Sequence, residues 1–343
     1  MNTSIRNLIL GGFAFAAAVS IASCGGGGGG GSASTPTGSM SLSVTDAAID
    51  TLPETARVMI TFTGVELQPQ DGERVEFTFD NPKTIDLLAL TGNLSEPLLG
   101  DHDSDERVTV PAGSYNWIRL AVNAQQGQLD SFVDPDGIDD SGDEVSLYIP
   151  SGDQSGLKLF AASNKVFVAE NGEADFVIDF DLRNSVFLAE TPGGDYRLRP
   201  TIRIVNRLEA GSIAGTATTE FVDAEKARHP ESAVCAVYVF AGPESPVDDI
   251  DEGADGTDAA DGPEPLSSAS LEEVLDDSDP PVVTGYTFEV GFLDAGTYTL
   301  AVTCQANLEN AEGLTDDDET VLFSAPIDVE VTAGDPTPAE FTL

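Results

Sequence analysis

The sequence predicts an all-β protein, two β-sandwich domains following a signal peptide and a flexible Gly-rich tether. Three observations predict it. Short apolar and polar alternations of four to eight residues recur along the chain, as half-buried strands require. Gly (34) and Pro (20) are frequent enough to turn the chain between them. Long apolar stripes of helical period are scarce, while 41% hydrophobic content in 343 residues suffices for two ordinary cores.

The chain opens on Arg6 in a short polar segment, an uncharged apolar run Leu8–Val19, and Ile21-Ala22-Ser23-Cys24. A cation, a short apolar core and small residues before a cut make a secretory signal, residues 1–23. The run is too short to span a bilayer, which takes about 20 apolar residues. An aliphatic residue, two small residues and Cys resemble the lipobox of bacterial lipoproteins. The resemblance implies that Cys24 is acylated at the mature N-terminus, and that Gly25 in place of Asp directs the protein to the outer membrane, facing the periplasm or the surface. Two or three acyl chains hold a protein firmly where one does not. Residues 24–37 hold seven glycines and then small polar residues, so no core can form there and the stretch reads as a tether.

Residues 38–206 carry the first series of strands. Met40–Thr45 alternates and ends at Asp46, and Arg57–Leu67 places Val58, Ile60 and Phe62 on one face with Gly64 as a bulge. Arg74–Phe79 and Thr84–Thr91 read as two strands. Val108–Val122 reads as a strand, a Pro-Ala-Gly corner and a longer strand whose Ile118, Leu120 and Val122 face the core. Strict alternation sets Tyr115, Trp117 and Arg119 on the opposite face. Val145–Ile149, Leu157–Phe160, Lys165–Val168, Ala174–Leu182 and Arg197–Val205 complete the series.

Six blocks of this half, in order, are Gly38–Asp46, Ile85–Leu90, Val110–Tyr115 with Ile118–Leu120, Tyr148–Ser151 with Gly156–Leu159, Ile178–Asp181 and Leu198–Pro200. Together they resemble the bacterial and archaeal domain-of-unknown-function family numbered 4382. The resemblance implies a β-rich domain on secreted lipoproteins and no activity.

Arg207–Gly211 reads as a link to a second sandwich, residues 208–343. Its strands are Ser212–Thr218, Ala233–Phe240, Tyr286–Leu293, Gly296–Cys304, Thr320–Phe323, Ile327–Thr332 and Ala339–Leu343, with a helical turn over Glu225–Pro230. Residues 244–281 hold 14 acids and no base and read as an exposed loop, with one helical turn over Leu271–Leu275. Phe292-Leu-Asp-Ala-Gly-Thr-Tyr298 before an alternating strand resembles transthyretin-like and carboxypeptidase-regulatory-like sandwiches, in which the Tyr closes a corner, much as in immunoglobulin-type domains. The resemblance implies a spacer or adhesion unit. Both halves carry Ala-Gly-Ser/Thr-Tyr before a strand. Tyr298 shares a face with Leu300 and Val302 whereas Tyr115 opposes Ile118 and Leu120, so the alternation speaks against duplication.

Charge bounds function. Acidic residues number 60 against 15 basic ones, and no Lys or Arg follows Arg228. A formal net charge of −45 repels nucleic acid and anionic head groups and favours solubility in salty water. The expected partners are the membrane, through the N-terminal lipid, and an envelope protein or glycan.

Of three cysteines, Cys24 is assigned to lipid, leaving Cys235 and Cys304 as a pair in an oxidising compartment. Each alternates with core-facing residues, so a disulfide between them is expected. The best calcium candidates are Asp134, Asp136, Asp139, Asp140, Asp143 and Glu144, closely spaced carboxylates on a Gly-kinked loop. Ile138 at the fifth position departs from the EF-hand order, and the same residues suit a solvated hairpin loop. Tyr115 and Trp117 are candidates for stacking on a sugar ring. Catalysis finds little: two histidines in loops, no His-Glu-x-x-His and no Gly-x-Ser-x-Gly. Paired carboxylates for hydrolysis carry no weight in a chain with 60 acids. The expected protein is therefore a non-enzymatic, structural, adhesive or binding lipoprotein without a cofactor. A calcium-dependent ligand- or glycan-binding lipoprotein is the alternative and a hydrolase with paired carboxylates the third reading.

Overall fold

The computed structural model describes residues 35–343 apart from 48–55, 103, 105, 138–141, 151–155, 161–165, 184, 189–193, 200, 229–233, 251–262 and 308–320. Residues 35–343 form one compact unit. The signal, Cys24 and the tether up to Ser34 lie outside the described residues.

The first half contains β1 (Thr37–Ala47), β2 (Arg57–Pro69), β3 (Val75–Asp86), β4 (Glu96–Leu99), β5 (Val108–Pro111), β6 (Gly113–Asn123) and β7 (Phe132–Asp134). It continues with β8 (Val145–Tyr148), β9 (Leu157–Phe160), β10 (Phe167–Val168), β11 (Glu173–Asp181), β12 (Val186–Leu188), β13 (Tyr196–Leu198) and β14 (Ile202–Asn206). The second half contains β15 (Ala210–Ala217), α1 (Thr219–Lys226), β16 (Ala236–Ala241), β17 (Ser267–Ser270) and β18 (Glu272–Leu275). It ends with β19 (Val283–Asp294), β20 (Gly296–Thr303), β21 (Ile327–Val331) and β22 (Thr337–Phe341).

The all-β expectation holds, and each half is a sandwich. In the first, a five-stranded sheet (β14-β11-β1-β4, with β5 on β1) faces a nine-stranded one built around β6-β2-β7-β8. Met40, Leu42 and Val44 of β1 meet Phe176, Ile178 and Phe180 of β11 and Ile60, Phe62 and Leu120 of the other sheet in one core. In the second, sheets β18-β19-β15-β22 and β17-β16-β20-β21 close over a separate core that includes Ile213, Val237, Val290, Leu300 and Phe341.

Several local expectations are corrected. The first strand read over 74–91 and the start of the second are one, β3, lying along β2, while Leu87–Thr91 is turn and coil; the irregularity opposite Phe62/Gly64 absorbs Asn81-Pro82, where a missing N–H costs no ladder bond. A Cβ on Gly64 would lie 2.5 Å from the Phe77 carbonyl oxygen, so only glycine lets the strands close there. The supposed link at 207–211 is a single 3₁₀ turn, Arg207–Glu209, running directly into β15. Of the helical turn expected at 225–230, Glu225 and Lys226 end α1 and residues 229–230 lie outside the described residues; α1 starts earlier because Thr218 caps it, accepting the Phe221 N–H at 3.2 Å. The helical turn expected at Leu271–Leu275 is instead strand from Glu272, because β18 pairs with β19 from Glu272 to Leu275. With β17 paired to β16, two strands run through the segment expected to be an open loop.

The two halves meet across a polar seam. The row of β1 opposite its core face, Ser41, Ser43 and Thr45, is buried, with β17 running close by. The same face of β11 presents Asp175, Val177 and Asp179. Arg203 donates to Asp179 (Nε–Oδ2 2.7 Å) and Arg207 pairs with Asp175 (3.3 Å). Arg207 also lies over the Phe292 ring at 4.9 Å, and the fully buried Arg183 lies over Tyr238 at 4.9 Å. Gly291 lies against the Gly92 carbonyl oxygen, which a Cβ would strike at 2.1 Å.

Candidate functional site

The sequence places the residues that follow Gly113 and Gly296 at sharp corners, and both corners are built alike. β5 pairs with β1 and β6 with β2, so the chain changes sheet at Ala112-Gly113. β19 and β20 likewise lie in different sheets. In each corner a tyrosine folds back: Tyr115 Oη donates to the Pro111 carbonyl at 2.5 Å, and Tyr298 Oη to the Asp294 carbonyl at 2.6 Å. Burial pushes the Tyr115 phenol well above its usual pKa and raises that of Tyr298, where the Asp294 charge adds to the effect.

Tyr115 is thus a core residue, 4% exposed, and not a stacking surface. Strict alternation along β6 breaks at one position. Tyr115 pairs with Pro69 and Trp117 with Gln68, so Asn116 bulges and moves Tyr115 to the face of Ile118 and Leu120. Both corner tyrosines therefore point into their cores, and the difference in phase read from the sequence is absent.

Trp117 stays on the outward face, and the structure adds neighbours that the sequence reading passed over. Trp117 stands opposite Phe160, and Arg119 opposite Lys158, across the β6–β9 pair. The Lys158 ammonium lies 4.3 Å from the Trp117 ring centroid and 4.7 Å from that of Phe160. The Arg119 guanidinium is 5.0 Å from Trp117. Arg119 and Arg74 both reach Glu66 Oε2, at 3.2 and 3.0 Å. Phe160 is 73% exposed. The signal for this group was the alternation in Leu157-Lys-Leu-Phe160: with both leucines inward, Lys158 and Phe160 must face out.

The acidic loop is divided. Asp134 is fully buried and bound by Arg57 through Nη2 (2.5 Å) and Nε (3.0 Å), while its Oδ1 accepts the Gly137 N–H at 2.9 Å. Burial alone would raise this carboxyl. The Arg57 guanidinium, with Gly137 and Asp136, instead holds it below the usual aspartate range. Asp134 is therefore committed to a structural ion pair and is withdrawn from the calcium set. Asp136 and Glu144 are half-buried, Asp143 is exposed, and Asp139 and Asp140 lie outside the described residues. Among the described residues no group of three His, Cys, Asp or Glu side chains is arranged to hold a metal ion.

Cys235 and Cys304 lie at disulfide distance, S–S 2.00 Å, both buried in the second core. The seam holds a small polar recess lined by Asp46, Asp179, Glu289, Ser267 and Ser268, with room for about one water molecule. Its carboxylates are engaged: Asp46 Oδ1 accepts the Leu182 N–H at 3.2 Å, Arg203 holds Asp179, and Asn93 donates to Glu289. Burial raises the Asp179 carboxyl above its usual value, against the pull of Arg203. No helix among the described residues is long and apolar enough to cross a membrane.

Residues 37–200 match the family model described as "Domain of unknown function (DUF4382)". That stretch coincides with the first sandwich up to its last strand. No curated protein matches the chain.

Proposed function

We propose that this protein is a non-enzymatic binding lipoprotein of the bacterial envelope, held to the outer membrane by acylated Cys24. The DUF4382 stretch, residues 37–200, carries the binding face on its outer sheet. The second sandwich, read as a transthyretin-like unit, braces the first through the seam. The observation that carries the anchoring is the order of the N-terminal sequence: an uncharged apolar run, Ile21-Ala-Ser-Cys24, then seven glycines ahead of the folded body. The glycine run gives the body reach without adding any surface that packs.

The test is expression of the full chain and its Cys24→Ser variant in a Gram-negative host. Mass spectrometry of the N-terminal peptide should find acyl chains on Cys24, and the protein should partition into detergent. The variant should move to the aqueous phase. A wild-type protein that is water-soluble and carries no lipid would end this reading.

A further inference from the structure

We propose that the outward face formed by β9, β6 and β2 docks a glycan chain bearing carboxylates, with uronate units as the recognised groups. The proposal rests on the reading of this chain as a binding protein and names its ligand.

The first support is the platform. Trp117 and Phe160 are cross-strand partners on an open face, and Phe160 leaves 73% of its surface to solvent. Large exposed aromatics on a sheet lose water readily against the apolar face of a pyranose ring. Neither is needed to fill the core, which Leu157, Leu159, Ile118 and Leu120 fill from the other side of the same strands.

The second support is charge. Several cations among the described residues are spent on carboxylates: Arg57 on Asp134, Arg203 on Asp179, Arg207 on Asp175, Arg228 on Glu225. Lys158 makes no ion pair among the described residues, and its ammonium sits over the two rings. Arg119 flanks it, shares Glu66 with Arg74, and leaves donors for a second acceptor. A protein of net charge −45 thus presents a cation and two aromatic rings side by side. A sugar ring on the aromatics brings its carboxylate to Lys158 and Arg119, and charge-assisted hydrogen bonds to a carboxylate are the stronger kind. A neutral sugar would offer Lys158 no carboxylate to add to its ring contacts. A second copy of this chain meets repulsion between two strongly acidic bodies. Charges act over about 8 Å at physiological salt, so a docked second copy brings many carboxylates within range, whereas a short uronate segment meets chiefly the local cations.

Trp117 is the only tryptophan in the chain, so its fluorescence reports on this face alone. The acylated full-length protein in neutral phosphatidylcholine vesicles is titrated with oligogalacturonate and, separately, with a neutral oligosaccharide of the same length. The expected result is a saturable change with oligogalacturonate that weakens as salt rises, and little change with the neutral sugar. Lys158→Glu should weaken binding at least about ten-fold. Phe160→Ser should weaken it further while the thermal unfolding midpoint stays put, because Phe160 is exposed. Equal binding of both sugars, no response to oligogalacturonate, or binding untouched by Lys158→Glu would each overturn the proposal. Because the vesicle-bound state is verified first by flotation, failure here leaves the anchoring reading standing or fallen on its own evidence.

Discussion

The two sandwiches solve one problem with different chemistry. The first buries charge: Asp134 under Arg57, and Asp179 and Asp175 along the seam under Arg203 and Arg207. The second has no Lys or Arg of its own after Arg228, so it has no such pairs to form within that stretch. It is tied instead by Cys235 and Cys304, which join β16 and β20 near their ends, and by hydroxyls such as Thr299, which donates to Asp328 at 2.7 Å. A chain that sheds cations to stay acidic gives up ion pairs as a structural resource and replaces them with a bond that is indifferent to charge.

The sharpest way to break this comparison is Arg57→Ala. It leaves the Asp134 carboxylate buried without its guanidinium and should cost about 3–5 kcal/mol at neutral pH, read from urea midpoints. The pH dependence has a definite sign. Asp134 is held below its ordinary value of 3.8, so its stabilising contribution is present above that value and is lost as pH falls through the lower folded value. In the variant, burial favours the protonated acid, so the gap between the two proteins should narrow as pH falls toward 4. A constant gap would mean that Arg57 acts through packing alone.

Next comes the bond in the second half. Closing a loop of 69 residues removes about 4 kcal/mol of unfolded-chain entropy at most, so reduction or the Cys235→Ala/Cys304→Ala pair should cost about 2–4 kcal/mol. The loss should be nearly independent of pH between 4 and 8, unlike that of Arg57→Ala. If reduction leaves the denaturant midpoint unmoved, the two halves are not stabilised in the contrasting ways described.

The smallest effect sharpens the comparison where the halves agree. Tyr115→Phe and Tyr298→Phe each remove one buried hydroxyl and leave a carbonyl without that donor, at about 1–2 kcal/mol each. The two losses should match within about 0.5 kcal/mol and add in the double variant, because the corners are separate. A much larger loss at one site would show that the corners are not equivalent.

Much of the fold was legible because alternation is a local signal. Val58, Ile60 and Phe62 point where their spacing sends them, and Gly64 marks the irregularity it was read as. What was not legible depends on partners far away in sequence. Ser41, Ser43 and Thr45 are the polar half of the β1 alternation, yet they are buried because the second half covers them. The face of Tyr115 turns on the single extra residue Asn116, which period-two counting does not detect. Acidic residues around β18 hid a strand because their side chains stay exposed while only the backbone pairs with β19. The candidate site was half legible: Trp117 stood out as the lone tryptophan, but its pairing with Lys158 and Phe160 required the register of β6 against β9.

The parallel pairing of β1 with β11 has a consequence for how the body assembles. Ser39 of the first strand aligns with Glu173 and Ala47 with Asp181, so one edge of the opening strand waits for more than 120 residues before its parallel neighbour exists, although β4 and β5 cover the other edge sooner. Topologies dominated by such distant partnerships fold slowly, because chain closure precedes any reward. A nascent chain halted before residue 173 has its β1 edge uncovered, and that interval is when the molecule is most open to capture by a chaperone or by another strand.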